Sequence, residues 1–262
     1  MPSALQKAMD IVDWLAGRPA GAPVTEMARA LGMPASGAHR TLAELQRLGF
    51  VRQDPVSGHY ALTLRLAALG LEYLAASGLT DLAQPTLDTL AARGRELVRL
   101  SVLDGDRLVW VGVAQGATAG LVYDPRREQG AEVPLACTAH GIAWLSTLPE
   151  AQALERVAAQ GLRPARADIG ADAPRDLATV RAQIALARQS GHAVSANSHV
   201  AGMLAIAVAV RTPDDRVLGC LSLAGPLVRF DRARAETLLP DLHEAARELG
   251  QLGRGAALFQ RG

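Results

Sequence analysis

The first 62 residues constrain the fold of this chain most, because helical and strand-like patterns follow one another there at short intervals. Three segments with apolar residues at helical spacing precede two strand-like pieces: 4–16, 25–31, 35–49, 50–53 and 59–62. Thr25 is interpreted as the cap of the second helix, and Pro34 stands where the third begins. The strand-like pieces are joined by residues typical of turns, from Asp54 to Gly58. This order predicts a helix–turn–helix at about residues 24–43, followed by a hairpin wing.

The second helix of a helix–turn–helix lies in the major groove of DNA, with its first residues against the base edges. Arginine binds guanine or phosphate, and serine and histidine can contact either. The candidate DNA contacts are therefore Thr25, Ser36, Gly37, His39, Arg40, Arg47 and Arg52. Net charge does not favour this function, since residues 1–62 carry six basic and five acidic side chains. A small helical subdomain without a DNA-binding role remains an alternative.

The remainder of the chain predicts a linker helix and then a mixed α+β body. Residues 63–76 are rich in leucine on more than one face, as expected of a helix that touches two bodies. The following strands are predicted at 96–103, 107–115, 121–123, 193–195, 203–211 and 217–224. Helices are predicted at 80–93, 138–147, 150–160, 175–189 and 231–249. Strands joined by hairpins, with helices before and after them, favour an antiparallel sensor-like sheet.

Composition narrows the class of protein. The chain is 49% hydrophobic and 20% charged, which is typical of a globular protein. Its longest apolar stretch, 200–210, is about half of the ~20 residues that a membrane span needs. The first ten residues lack the apolar core of a signal peptide, and two cysteines are too few for a disulfide framework. We therefore expect a cytoplasmic protein without a membrane partner.

A catalytic or metal site is the main rival interpretation. Cys137 and His140 are spaced to share a helix face, as a nucleophile and its base would. With His192 and His199, they could also be considered as metal ligands. None of them has the spacing of a known zinc motif, and we expect His192 and His199 to be surface residues at strand ends. The sequence thus predicts no enzyme, no metal and no cofactor.

Five segments together resemble a known family. They are ALQKAMDIVDWLA, VTEMARALGMPASGAHRTLAELQRLGFV with its Gly-His-Tyr wing, VPLACTAHGIAWLS, GHAVSANSHVAGMLAIAVAV and LGCLSLAGP. In this order they are similar to the isocitrate lyase regulator (IclR) family of bacterial transcription factors, over essentially the whole chain. One departure is that Gly37 and Ala38 replace a hydroxyl residue and a branched residue of the family's recognition helix. Gly37 weakens the helix by about 1 kcal/mol relative to alanine.

The resemblance implies an α+β fold with a winged helix–turn–helix at 1–63, a linker helix at 64–77 and an effector domain with a GAF/profilin-like antiparallel sheet at 78–254. It implies double-stranded DNA with a palindromic operator as a partner, and a homodimer or a dimer of dimers. The implied function is to repress or activate a catabolic operon in response to a small organic, aromatic or carboxylate effector. The alternative is a ligand-binding sensor whose winged domain contacts proteins instead of DNA.

The resemblance also implies an effector pocket between the sheet and the helix that follows Pro134-Leu135. The residues that it assigns to this pocket are Val122, Tyr123, Thr138, Ala139, His140, Ser195, Asn197, Ala205 and Ser222. Backbone N–H groups at the start of that helix are the expected anion donors, with the Ser222 hydroxyl facing them. Ala224 replaces a common serine of the family, and the usual acidic group is missing. A ligand with one anionic end and an aromatic or aliphatic body is therefore expected.

Overall fold

The computed structural model describes residues 3–76, 79–164 and 168–252. They form two compact units, the first of which ends at Ala76. The helices are α1 Ala4–Ala16, α2 Val24–Ala30, α3 Ala35–Arg47, α4 Arg65–Ala76, α5 Leu79–Gly94, α6 Ala139–Leu145, α7 Glu150–Gln160, α8 Leu177–Ser190, α9 Arg232–Thr237 and α10 Leu239–Leu252. The strands are β1 Val51–Gln53, β2 Tyr60–Leu62, β3 Leu97–Asp104, β4 Arg107–Gln115, β5 Ala193–Ala196, β6 Met203–Arg211 and β7 Val217–Pro226.

The first unit is a helix–turn–helix with a two-stranded wing, followed by α4. Its core consists of apolar side chains from α1, α2, α3 and the hairpin, among them Ile11, Leu15, Met27, Leu42, Val51 and Tyr60. The expected cap at Thr25 is wrong. The extended backbone of Pro23 leads directly into α2, so Pro23 takes the N-cap position and Thr25 is the second helical residue.

The second unit is built around a five-stranded antiparallel sheet in the order β4-β3-β7-β6-β5. Helices α5 and α10 pack on one face of this sheet, and α6 and α8 pack on the other. The predicted α+β class, with a winged helix–turn–helix and an antiparallel-sheet domain, is thereby confirmed. Among the helices of the described residues, none combines the length and the apolar character needed to cross a bilayer.

Two predicted elements differ in the structure. Residues 121–123 do not form a strand but belong to an irregular stretch that follows β4. The helix predicted at 231–249 is divided at Leu238 into α9 and α10. Pro240 explains the division, because proline has no N–H to continue the helical hydrogen bonds and is tolerated only in a first turn.

Candidate functional site

A small cavity lies between the sheet and α6 in the second unit. Its volume is about 60 Å³. The strand register puts Arg99 on β3 directly opposite Ser222 on β7, and Leu97 opposite Ala224. Because side chains alternate along a strand, these four residues share one face of the sheet. The cavity is lined by Leu97, Arg99, Trp110, Tyr123, Glu128, Thr138, Ala139, His140, Ser195, His199, Val200, Met203, Ala205, Ser222 and Ala224.

His140 on α6 is buried between two serine hydroxyls. Its Nδ1 lies 2.6 Å from Ser101 Oγ, and its Nε2 lies 2.6 Å from Ser222 Oγ. Burial and the nearby charge of Arg99 hold the pKa of His140 well below its usual value, so the ring is neutral. Ser101 Oγ donates to the Cys220 carbonyl at 3.3 Å and therefore accepts from Nδ1–H. The Ser222 hydroxyl then donates its proton to Nε2, so this proton is not available to a ligand.

Arg99 places a guanidinium group at the cavity although the residue is only 5% exposed. Its Nη1 lies 2.5 Å from Glu128 Oε2, and its guanidinium carbon lies 3.8 Å from the centre of the Trp110 ring. The other carboxylate oxygen of Glu128 accepts from His199 Nε2–H at 2.8 Å. A buried cation left without a counter-ion is strongly destabilising. Glu128 therefore neutralises Arg99 in this conformation.

Glu128 reaches the cavity from the irregular stretch between β4 and α6. It ends a short 3-10 helical turn, Pro125–Glu128. Before this turn, the Tyr123 carbonyl accepts from the Gln115 side chain at 3.2 Å. After the turn, Gly130 N–H donates to the Trp110 carbonyl at 2.8 Å. The turn that carries Glu128 is thus held on both sides by residues of β4, before it by the Gln115 side chain and after it by the Trp110 carbonyl.

The start of α6 is already capped by the protein itself. Thr138 Oγ1 accepts from Gly141 N–H at 2.9 Å and donates to the Pro134 carbonyl at 2.7 Å. All seven residues of α6 are buried. One of the backbone donors expected to serve an anion is therefore used by Thr138.

Most of the residues expected in an effector pocket meet at this cavity. Those that line it are Tyr123, Thr138, Ala139, His140, Ser195, Ala205 and Ser222. Val122 lies outside the lining and is 43% exposed. Asn197 is also outside, because its side chain donates to Asp172 and accepts from Gly202 N–H in a turn.

Four residues that line the cavity were not predicted to belong to the pocket. They are Arg99, Trp110, Glu128 and His199. The expectation that His199 lies on the surface is wrong, since its side chain is only 14% exposed and bonded to Glu128. Arg99 has a signal in the sequence, namely a charge in the middle of the apolar strand LVRLSVL. Such a residue is almost never fully buried unless it is paired.

The pairing of Cys137 with His140 does not form. Both ring nitrogens of His140 are bonded to serines, whereas Cys137 Sγ lies 3.8 Å from His199 Nδ1. Within the described residues, no group of three or more His, Cys, Asp or Glu side chains is arranged to hold a metal ion.

In the first unit, α3 exposes the residues expected to face DNA. Ser36, His39 and Arg40 are exposed, while Ala38 and Leu42 on the opposite side are fully buried. The helix therefore packs by its apolar stripe and leaves a polar edge free for contact. The His39 ring also approaches Tyr60 of the wing edge-on, with the ring centres 6.4 Å apart.

The other expected DNA contacts differ in their surroundings. Arg47 is exposed but bonded to Glu44 at 2.9 Å. Gly37 is half-buried, and its carbonyl accepts from Thr41 Oγ1 at 3.1 Å. Arg52 is exposed on β1, and Thr25 is exposed on α2.

The wing turn next to Arg52 is closed by Asp54. The Asp54 carboxylate accepts from the backbone N–H groups of Val56 and Ser57 and from the Ser57 hydroxyl. These hydrogen bonds, led by that from Ser57 N–H, lower the pKa of Asp54. The turn therefore keeps its shape wherever this carboxylate is ionised.

Each of the two units matches a known protein family. The model of the IclR helix-turn-helix domain matches residues 4–55, and that of the bacterial transcriptional regulator IclR C-terminal domain matches residues 71–251. The chain is 26% identical to the acetate operon repressor of Salmonella typhimurium, over 94% of this chain and 88% of that protein. It is 26% identical to the HTH-type transcriptional regulator XynR of Escherichia coli, over 95% and 96%.

Solved structures show the same fold. The IclR transcriptional regulator of Alicyclobacillus acidocaldarius superposes with a TM-score of 0.76 at 25% identity, over 95% of this chain and 98% of that one. An IclR homologue of Microbacterium hydrocarbonoxydans, in complex with 4-hydroxybenzoate, gives a TM-score of 0.76 at 22% identity, over 97% and 100%.

The two units and the matches to them define a DNA-binding transcriptional regulator with an effector-binding domain. This chain belongs to the IclR family. The family consists of transcriptional regulators and not of enzymes.

Proposed function

We propose that this regulator controls a catabolic operon by binding a palindromic operator as a homodimer that can pair into a dimer of dimers. Its effector is a small organic acid with an aromatic or aliphatic body, bound in the cavity between the sheet and α6. The observation that carries this proposal is a buried guanidinium group in a cavity whose other walls are largely apolar. A largely apolar pocket that contains a guanidinium group and a small number of fixed polar groups favours an amphipathic anion.

Operator contact is assigned to the exposed edge of α3, with the wing beside it. Arg40 reads a base, because it lies one turn into the recognition helix and is exposed. Arg47 and Arg52 bind phosphates, and Ser36 and His39 contact base edges or phosphates. Thr25 and Gly37 stand at the start of α2 and α3, where backbone N–H groups approach the phosphates.

The substitution Arg40→Ala tests the DNA assignment. We expect it to cost about 1–3 kcal/mol in operator binding and to relax the preference at one position of each half-site. Arg47→Ala is the matched control, because it should weaken binding to all DNA sequences similarly and reduce the dependence of that binding on salt concentration. Gel shifts with DNA that flanks the protein's own gene measure both. Unchanged operator binding by Arg40→Ala would favour the alternative in which the winged unit contacts proteins.

A cavity-filling substitution tests the effector assignment. Ala224→Leu introduces a larger side chain at the cavity and should abolish the thermal stabilisation that aromatic acids such as 4-hydroxybenzoate give to the wild type. Operator affinity without effector should remain as in the wild type. Ala178→Leu, at an exposed position of α8, is the control that should respond to acids normally. Equal stabilisation of all three proteins would place the effector elsewhere.

A further inference from the structure

We propose that Arg99 is the anchor for the effector's carboxylate, and that Glu128 is an internal carboxylate that occupies this anchor until the effector displaces it. This inference rests on the proposed effector function of the cavity. It adds the residue that selects a carboxylate and the group that the carboxylate must replace.

Arg99 has the geometry of a carboxylate anchor. Its guanidinium group is held against the Trp110 ring at 3.8 Å and already binds one carboxylate, that of Glu128. Guanidinium groups bind carboxylates through directed N–H groups, and a stacked, immobilised one loses little entropy on binding. His199 binds the second oxygen of the same carboxylate, so that two donors define one carboxylate position.

The size of the cavity indicates that this position must be vacated. The cavity measures about 60 Å³ while Glu128 is in place. A ring of the size of benzene fits a cavity of about 150 Å³. Withdrawal of the Glu128 side chain frees the space of a carboxylate and two methylene groups. Exchange with Glu128 therefore gives an aromatic ring the space that the occupied cavity lacks.

Two other polar groups of the cavity are already engaged within the protein. The Ser222 hydroxyl donates to His140, and Thr138 already binds a backbone donor of α6. The indole Nε1 of Trp110 is buried and has no acceptor among the described residues. It is a donor that an effector could satisfy, while Leu97, Met203 and Ala224 would contact the effector's apolar body.

The exchange conserves charge at the site. One carboxylate replaces another beside Arg99, so that no uncompensated cation is buried at either stage. The Glu128 carboxylate moves to water, and the turn Pro125–Glu128 moves with it, between the anchor points at Tyr123 and Gly130. The position of this turn would then report whether the effector is bound.

Chemical rescue tests the anchor without an identified effector. Glu128→Ala removes the carboxylate that Arg99 binds in the wild type, so acetate should take the place of that carboxylate. At equal ionic strength, we expect acetate, relative to chloride, to raise the thermal midpoint of this variant by about 2–4 °C. The wild type should gain less, because its anchor is occupied. Glu128→Gln is the second variant, for use if the alanine variant does not fold.

Two controls make the rescue specific. Arg99→Gln combined with Glu128→Ala should lose the acetate effect, because the guanidinium group that binds the carboxylate is absent. Glu150→Ala breaks the exposed ion pair with Arg181 and should show no preference for acetate. If acetate and chloride act equally on folded Glu128→Ala, or if Glu128→Gln binds an aromatic acid no more tightly than the wild type, the anchor assignment is wrong.

Calorimetry with 4-hydroxybenzoate and 4-hydroxybenzamide then measures whether the site prefers the charged ligand over the uncharged one. For the acid, we expect Glu128→Gln to bind at least tenfold more tightly than the wild type and Arg99→Gln to bind at least tenfold more weakly. For the uncharged amide, Arg99→Gln should bind no more weakly than the wild type, because the amide has no charge for Arg99 to bind. Equal losses of acid and amide in Arg99→Gln would show a structural role and overturn the proposal.

The experiments distinguish failure of the proposed effector function from failure of the Arg99 anchor. If acetate rescues Glu128→Ala but no acid changes operator binding, the anchor exists and the effector function is wrong. If acids change operator binding in Arg99→Gln as in the wild type, the effector function holds and the anchor is wrong.

Discussion

At the scale of single residues, His140 couples the cavity to pH. Its pKa lies well below the usual value in the folded protein because of burial and the charges of Arg99 and His199. The unfolded chain has a histidine pKa of about 6.5. Between these two values the unfolded state binds a proton that the folded state does not. The contribution of His140 to stability is therefore fully present above pH ~6.5 and is lost as the pH falls below it.

The substitution His140→Gln should flatten this pH dependence. We expect the wild type to lose about 1.4 kcal/mol per pH unit from this group as the pH falls from 6.5 toward the folded pKa. The variant should lack that slope. Urea unfolding at pH 5, 6, 7 and 8 measures it. His243, whose pKa is also lowered by burial, accounts for part of any slope that remains. An identical slope in both proteins would contradict the prediction.

Some residues of the cavity could be predicted from the sequence, and others could not. Ser222 and His140 were assigned to one pocket through the family resemblance, and the strand register and α6 do bring them together. Arg99 could have been found, because residues 97–102 are buried on both faces of β3 and an arginine there needs a partner. Glu128 could not, since its role depends on the path of an irregular stretch that no periodicity describes.

At the scale of elements, α4 combines an apolar sequence with an exposed position. It is rich in leucine, yet none of its residues is buried in the single chain. Leu69, Leu71 and Tyr73 are 48%, 68% and 58% exposed. Apolar patches of this kind mark surfaces that bind another protein. We therefore propose that α4 forms the contact between two copies of the chain in the proposed homodimer.

The substitution Leu71→Glu should shift the protein from dimer to monomer at micromolar concentration. A charge in an apolar interface is costly to bury, whereas it costs little on an exposed helix face. Leu186→Glu is the matched control, because Leu186 is 65% exposed on α8 and should tolerate the change. Light scattering coupled to gel filtration distinguishes the two. A wild-type protein that is monomeric, or a Leu71→Glu variant that stays dimeric, would contradict the assignment.

Most elements were predicted from periodicity, and the exceptions have local causes. Strand β4 and helix α7 coincide with their predicted bounds. Residues 121–123 have strand-like side chains but pair with no strand, because the outer edge of the edge strand β4 is bonded by residues 130–133 instead. Periodicity reports burial of one face, and it does not report whether a backbone ladder is available.

At the scale of the whole molecule, the net charge is too small to attract DNA strongly. The chain has a formal net charge of +1, and its first 62 residues carry six basic and five acidic side chains. One of those basic residues, Arg47, is paired with Glu44 in the structure. Non-specific affinity for DNA comes from neutralised phosphates. We therefore expect weak non-specific binding and a strong dependence on simultaneous contact with two half-sites.

Scrambling one half-site of a palindromic operator should lower the affinity by about 10²–10⁴-fold. In an intact palindrome, the first recognition helix to bind holds the second near its own half-site, and this raises the effective concentration of the second. Fluorescence anisotropy with an operator selected from random DNA measures the effect. Scrambling the same number of base pairs in the central spacer is the control and should cost far less. The Leu71→Glu monomer should bind both the intact and the half-scrambled operator with the same low affinity, because it has only one recognition helix. If the wild type binds them equally, its recognition helices do not act as a pair.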